Sequence, residues 1–145
     1  MDKTYEDMRI YISVLYRQFQ IYINNNTKDL QISASEYIFL MEMYKNDNMS
    51  QEQLSKNLII DKSATARAIK SLEEKEYIIR KKDDNDKRTN RIKLTKKGIE
   101  IKDRLSNLHE EWNNEITSDI DKNLLNTVID TINKMSIKAI EKNNI

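Results

Sequence analysis

The chain has 145 residues, 38% hydrophobic and 34% charged, which suits one domain with a substantial core and more charge than average. It has no cysteine, which excludes disulfides, thiolate zinc sites and thiol-based redox sensing within the chain, and no apolar run near the ~18 residues that a membrane span requires. The net charge is only +1, yet the stretch from Lys62 to Arg104 holds 15 Lys/Arg against 8 Asp/Glu, while the rest holds 10 against 16.

A basic middle flanked by acidic ends is the electrostatic footprint of one binding surface on a neutral scaffold, with a nucleic acid as the partner it suits, and the alternative on charge alone is a set of solvated lysine-rich faces. The start Met1-Asp2-Lys3-Thr4 lacks a basic and then apolar leader, so the chain is expected in the cytoplasm, with no membrane partner.

With no proline and a single glycine, Gly98, long helices should dominate. The first is expected from Tyr5 to Ile23. Tyr5, Met8, Ile12, Leu15, Phe19 and Tyr22 form one stripe at 3–4 spacing, and Ile10, Tyr11, Val14 and Ile21 add a second apolar side. Such a helix must be covered on both sides, and a partner subunit is the second cover expected. Asn24-Asn25-Asn26 reads as a loop. Ser33 and Glu36 have capping-box spacing and open a second helix that carries Tyr37, Leu40, Met41 and Tyr44 inward. Asn46-Asp47-Asn48 ends it. Ser50 and Gln53 open a short helix that buries Leu54 and Leu58.

Asp61 is a suitable N-cap for the next helix, Lys62 to about Lys75. Thr65, Ala68, Ile69 and Leu72 face inward; Ser63, Ala66, Arg67, Lys70 and Glu74 face outward. The period then shifts. Tyr77-Ile78-Ile79-Arg80 and Asn90 to Thr95 have strand composition, with Ile92 and Leu94 alternating against polar neighbours, and Asp83-Asp84-Asn85-Asp86 supplies the turn. From Lys96 one long helix is expected, with Ile101, Leu105, Leu108, Trp112 and Ile116 on one face. A last helix follows a cap at Asp119 or Asp121 and presents Leu125, Val128, Ile129, Ile132, Met135 and Ile140.

Short helix, tight turn, helix and charged hairpin is the order of a helix-turn-helix with a wing. A helix fits the major groove, where arginine grips guanine with two donors. A wing arginine suits a narrow minor groove. The fold class is therefore mainly α with a small β-hairpin wing: a winged helix-turn-helix over about 33–98 within a single domain, 1–145, flanked by helices at about 1–30 and 100–145 that carry more apolar surface than a small winged domain can cover alone.

The run Leu72 to Arg80, then Asp86-Lys87-Arg88, then Leu94-Thr95-Lys96-Lys97-Gly98 resembles the signature of the MarR family of transcriptional regulators, and the similarity extends over Ser50 to Gly98. The resemblance implies a homodimer, paired through dimerisation helices at about 1–30 and 100–145, that binds a near-palindromic double-stranded operator and acts as a repressor or activator. It implies that Lys62 to Lys75 is the recognition helix, with Ser63, Arg67 and Lys70 facing bases and phosphates. It also implies that Arg88 enters the minor groove and that Asp86 holds it. A small aromatic effector between the dimer helices and the winged domain is implied too.

The sequence departs from the family pattern at three positions. Ala64 and Ala66 stand where threonine is frequent, although the Ala66 methyl can touch a thymine methyl. Glu76 stands where glycine is usual; a left-handed backbone there would cost of the order of 1 kcal/mol with glutamate, and the recognition helix is expected instead to run on slightly. No cofactor is implied. The one histidine, His109, lacks the companions that zinc needs, and no catalytic set stands out, so an enzyme is not expected. The alternative is a winged-helix protein-interaction module that pairs with another regulator without specific DNA binding. Such a module would have no use for Arg67, Lys70 and Arg88. Tyr11, Tyr16, Tyr37 and Trp112 are candidates to line a small-molecule pocket, with core packing the plainer role for residues at helical spacing.

Overall fold

A computed structural model describes residues 4–144. Met1 to Lys3, part of the start expected to carry no leader, and Ile145, the end of the last flanking stretch, lie outside the described residues. The chain divides into two compact units, one running to His109 and one starting at Glu110.

The first unit opens with α1, Tyr5–Asn26. Thr4 and Asp7 form a reciprocal capping box: Thr4 Oγ1 accepts from Asp7 N at 3.2 Å, and Asp7 Oδ2 accepts from Thr4 N at 3.0 Å. The asparagine run expected as a loop is helical. Asn26 Nδ2 donates to Tyr22 O at 2.8 Å, and Asn24 Oδ1 accepts from Ala34 N at 2.8 Å, so side-chain bonds to neighbouring backbone override the poor propensity of asparagine. One turn of 3-10 helix, Lys28–Leu30, leads to α2, Ala34–Lys45. Ser33 caps α2 as expected, accepting from Glu36 N at 3.2 Å. The Glu36 carboxylate does not close the box on the Ser33 backbone. It accepts from the Ser33 hydroxyl at 2.9 Å and holds Lys75 Nζ at 2.8 Å.

Besides Tyr37 and Leu40, α2 buries Phe39 and Met43, while Met41 and Tyr44 are half-buried. This helix is covered on more than one side, so its periodicity was blurred. A two-residue strand β1, Met49–Ser50, was too short to be seen in the sequence. Ser50 then caps α3, Gln51–Leu58, accepting from Gln53 N at 3.0 Å. Leu54 is buried as expected; Leu58 is only half-buried, packed at the edge of the core.

After α4, Lys62–Glu74, come β2, Ile78–Lys82, and β3, Asn90–Leu94. The sheet is antiparallel in the order β1-β3-β2, with Ile78 opposite Leu94, Arg80 opposite Ile92 and Met49 opposite Ile92. The core joins Ile23, Leu40, Met43, Leu54, Ile69, Leu72, Ile78, Ile92 and Leu105, all fully buried. The single long helix expected from Lys96 is interrupted: α5 covers Lys96–Glu100, and α6 runs Lys102–Ile116 after a turn at Ile101. Two tyrosines of α2 fasten this segment. Tyr44 donates to Gly98 O at 2.6 Å, and Tyr37 donates to Leu105 O at 3.3 Å. A Cβ on Gly98 would collide with the Tyr77 carbonyl oxygen, which is why glycine is required there. Leu105 and Leu108 are buried, Trp112 is half-buried and Ile116 is exposed.

The second unit holds the end of α6 and α7, Lys122–Asn143, capped by Asp121, which accepts from Asn123 N and Leu124 N at 3.0 and 3.1 Å. No residue of α7 is buried. No helix among the described residues is long and apolar enough to cross a membrane.

Candidate nucleic-acid interface

Asp61 starts α4 as its sequence suggests. Its carboxylate accepts from Ala64 N at 2.7 Å, and its carbonyl takes the Thr65 hydroxyl at 2.9 Å. The inward set is as expected: Thr65, Ala68, Ile69 and Leu72 are all buried. On the other side, Ser63, Arg67 and Lys70 are exposed together. Ala66 is half-buried, so its methyl offers less surface than an outward position implies.

The helix does not run on past Lys75. Glu76 adopts φ 64°, the left-handed conformation. The Glu76 amide donates to Glu73 O at 2.9 Å and the Tyr77 amide to Leu72 O at 3.0 Å, which is the Schellman closure usually made by glycine. Tyr77 is buried, with its hydroxyl donating to Leu30 O at 2.7 Å, so the chain must reverse there whatever side chain stands at 76. The C-terminal end of α4 is fixed by Lys75, which donates to Gln31 O at 2.5 Å and pairs with the nearly buried Glu36.

The wing is pinned by carboxylates. Asp83 accepts from the amides of Asn85 and Asp86 at 2.8 and 3.2 Å and from Arg91 Nε at 2.8 Å. Arg91 also donates to Asn48 O at 3.1 Å, tying the hairpin to the loop before β1. The Arg91 guanidinium, followed by those two amides, holds the Asp83 carboxyl below its ordinary range. At the tip, Asp86 Oδ1 accepts from Arg88 N at 3.0 Å and lies 3.5 Å from Arg88 Nε. The Arg88 side chain is 94% exposed. Ile79 with Lys93, and Lys81 with Arg91, share the outer face of the hairpin.

An open cleft of about 190 Å³ lies where α3, the start of α4 and the wing meet, and it brings Arg88 together with Lys62, Gln51 and Thr89. Sequence reasoning missed Lys62, Gln51 and the Asp83–Arg91 pair. Lys62 was legible as a cation directly after the cap; the others depend on contacts between separate elements.

A larger, mostly apolar cavity of about 730 Å³ opens between α1, α2 and α4, with Phe19, Tyr37, Phe39, Ala68 and His109 among its walls. Tyr16 and Tyr37 reach it, whereas Tyr11 is exposed. Burial raises the Tyr37 phenol to about 12, so it stays protonated and keeps donating to Leu105 O. Arg67 lines this cavity as well as standing on the exposed side of α4. His109 lies edge-on to Phe19 at 6.2 Å, and the described residues contain no group of three or more His, Asp or Glu placed to hold a metal.

Comparison with known proteins agrees with this architecture. The MarR family profile matches residues 32–89. The HTH-type transcriptional regulator BilQ of Clostridioides difficile is 30% identical over 112 residues, which is 77% of this chain and 76% of that protein. A MarR transcriptional regulator from Methanosarcina mazei superposes with a TM-score of 0.85 at 33% identity, over 94% of this chain and 98% of that one. A MarR-family regulator from Listeria monocytogenes, solved in complex with a 26mer DNA, superposes with a TM-score of 0.87 at 25% identity, over 98% and 92% of the two chains. Winged helix, signature and relatives converge: the chain belongs to the MarR family of DNA-binding transcriptional regulators, and its work is regulation rather than catalysis.

Proposed function

We propose that the chain acts in the cytoplasm as a homodimer that reads a near-palindromic double-stranded operator. Each α4 enters a major groove and each wing approaches the adjacent minor groove. The observation that carries this reading is the shared exposure of Ser63, Arg67 and Lys70 on the side of α4 opposite its buried face, with the Asp86-held Arg88 on the neighbouring wing. Arg67 and Lys70 bring donors for guanine edges and phosphates, and Ser63 brings a hydroxyl. Ala66 is at most a minor apolar contact. In the Listeria relative the same fold carries DNA.

The single domain 1–145 then has two roles: 33–98 touches DNA, while the stretches near 1–30 and 100–145 pair the subunits. Tyr5, Tyr11, Leu15 and Tyr16 on α1 are each at least 52% exposed, and Leu124, Ile129 and Ile137 on α7 at least 49%. Such stripes call for a partner surface. The 730 Å³ cavity has the size and apolar lining of a small-molecule site. A small aromatic effector seated there touches α4 directly and shifts the population of dimers whose helices match the half-site spacing.

The test is salt-dependent binding to DNA upstream of the gene, comparing wild type with Arg67→Ala and Arg88→Ala. Each variant is expected to lose about 1–3 kcal/mol, with a flatter salt dependence where phosphate contacts are lost. Unchanged binding by both variants, or no binding at low salt, moves the assignment to a protein-interaction module.

A further inference from the structure

We propose that residues 27–33, which connect α1 to α2, are the joint that sets the recognition helix against the flanking helices, and that Lys75 and Arg104 are positioning residues that fix DNA recognition without touching DNA. The inference rests on the DNA-binding reading and deepens it. Three observations carry it.

The first is convergence. Side chains from three separate elements close on this short connection. From α6, Arg104 grips both oxygens of Asp29 at 2.6 and 2.7 Å and donates to Asn26 O at 2.9 Å, where α1 ends. From the base of the wing, Tyr77 donates to Leu30 O at 2.7 Å. From the end of α4, Lys75 donates to Gln31 O at 2.5 Å. The connection is also closed on itself: the buried Thr27 hydroxyl donates to Ile32 O at 2.6 Å, and the Ile32 amide returns to Thr27 O at 3.3 Å.

The second is the state of Lys75. A lysine at the end of a basic recognition helix would ordinarily be counted as a DNA contact. Its ammonium is instead turned inward, with Gln31 O at 2.5 Å and the two Glu36 oxygens at 2.9 and 2.8 Å, three acceptors for three protons. The Lys75 side chain is 26% exposed and that of Glu36 9%, whereas Arg67 and Lys70 are exposed. An ion pair this sheltered adds little net stability, because desolvation offsets the attraction. What it adds is a fixed geometry.

The third is the rest of the attachment of α4. Its buried face, Thr65, Ala68, Ile69 and Leu72, makes contacts that are non-directional and tolerate a small slide or rotation. Among the described residues, the side-chain bonds of 62–74 go to Asp61 and Arg80, and none reaches α1, α2 or the connection. The directional tie between the recognition helix and the flanking helices therefore falls on Lys75 and passes through the connection to Arg104. Base readout needs donors held in good geometry, since a hydrogen bond weakens steeply off line. Attraction to phosphates is longer in range and more tolerant. Loosening the joint should therefore cost sequence discrimination first.

The experiment uses full-length protein, a duplex enriched from a random pool by the wild type, and an unrelated duplex. Binding is measured against salt for wild type, Lys75→Met, Lys75→Arg, Arg104→Met and the double variant Lys75→Met with Arg104→Met, each well below its melting temperature. Lys75→Met is expected to weaken the enriched duplex by about 2- to 30-fold, the range of coupling carried by such networks. The unrelated duplex and the slope of log K on log salt should stay as in wild type. Lys75→Arg should restore the ratio between the duplexes. Arg104→Met should show the same pattern, and the double variant should fall no further than the weaker single, because both open one joint. A reduced slope with both duplexes weakened alike makes Lys75 a phosphate contact and overturns the proposal while the DNA reading stands. Lower melting with an unchanged ratio overturns it too, since the pair then only holds the fold. If Lys75→Met does not fold, Tyr77→Phe removes only the bond to Leu30 and carries the same expectation, and an unchanged ratio in that variant is equally fatal. Failure of the pool to enrich any duplex sinks the DNA reading, and this proposal with it.

Discussion

At the scale of single residues, the left-handed positions are the most informative. Two helices end in Schellman closures at residues other than glycine, Ile59 at φ 55° and Glu76 at φ 64°. A Cβ at such a φ costs of the order of 1 kcal/mol, and a β-branched side chain more. Both side chains are exposed, Ile59 at 66%, so little burial compensates. Glu76→Gly and Ile59→Gly are each expected to raise the unfolding free energy by about 0.5–1 kcal/mol, with Ile59→Gly the larger gain, measured by urea denaturation. A loss of stability in either would mean that the turn is not strained.

Asp83 gives a pH prediction. Its folded carboxyl lies below the ordinary 3.8, so the charged form is favoured by the fold. Its contribution is complete above the unfolded value and is lost as pH falls through the lower folded value. The Asn85 and Asp86 amides should therefore keep their native NMR shifts at pH 5 and move only below about pH 4. In Asp83→Asn the acid transition should vanish from these amides.

Elements show what local pattern can and cannot convey. The four buried residues of α4 were legible because the helix has one wet side, so the 3.6 period is clean. The prediction for this element is that Ile69→Ala destabilises by about 2–5 kcal/mol, since Ile69 has no exposed surface. The outward set was equally legible except at Ala66. In α2 the buried residues surround the axis, and Phe39 and Met43 were lost to the simpler stripe. The tail of α1 and the break at Ile101 depend on bonds from other elements, Asn24 to Ala34 and Tyr44 to Gly98, which neighbours in sequence do not announce. The same holds for the wing: its turn was legible from Asp83 to Asp86, but the Arg91 link to Asn48 crosses 43 positions. Arg91→Ala should leave the recognition helix intact while loosening the hairpin. Faster amide exchange at Asp86 to Thr89, with unchanged exchange in α4, is the expected pattern, and equal loosening of both would refute an independent wing anchor.

For the whole molecule, the decisive fact is apolar surface left without cover. A 22-residue helix with no buried residue, α7, cannot draw stability from its own unit. Under the dimer proposal, Ile129→Glu with Ile132→Glu should shift sedimentation from dimer to monomer. Operator affinity should then fall roughly 100-fold, because two linked half-site contacts become separate ones. A protein that sediments as a monomer before substitution would remove the basis of the proposal. The sequence conveyed the apolar stripes and their excess over what one winged domain can cover. It could not convey the cavity, because a void is made by residues that fail to meet, and no single segment encodes that.

Arg67 belongs to that void and to the exposed side of the recognition helix at once. Under the proposed function one guanidinium serves both the cavity ligand and the DNA, and occupancy of the two is then expected to be thermodynamically linked. Linkage is reciprocal: whatever factor a cavity ligand imposes on DNA affinity, DNA must impose on affinity for that ligand. Titrating an apolar dye into the cavity with and without duplex therefore reports the coupling before any natural effector is known. In Arg67→Ala the two titrations should coincide.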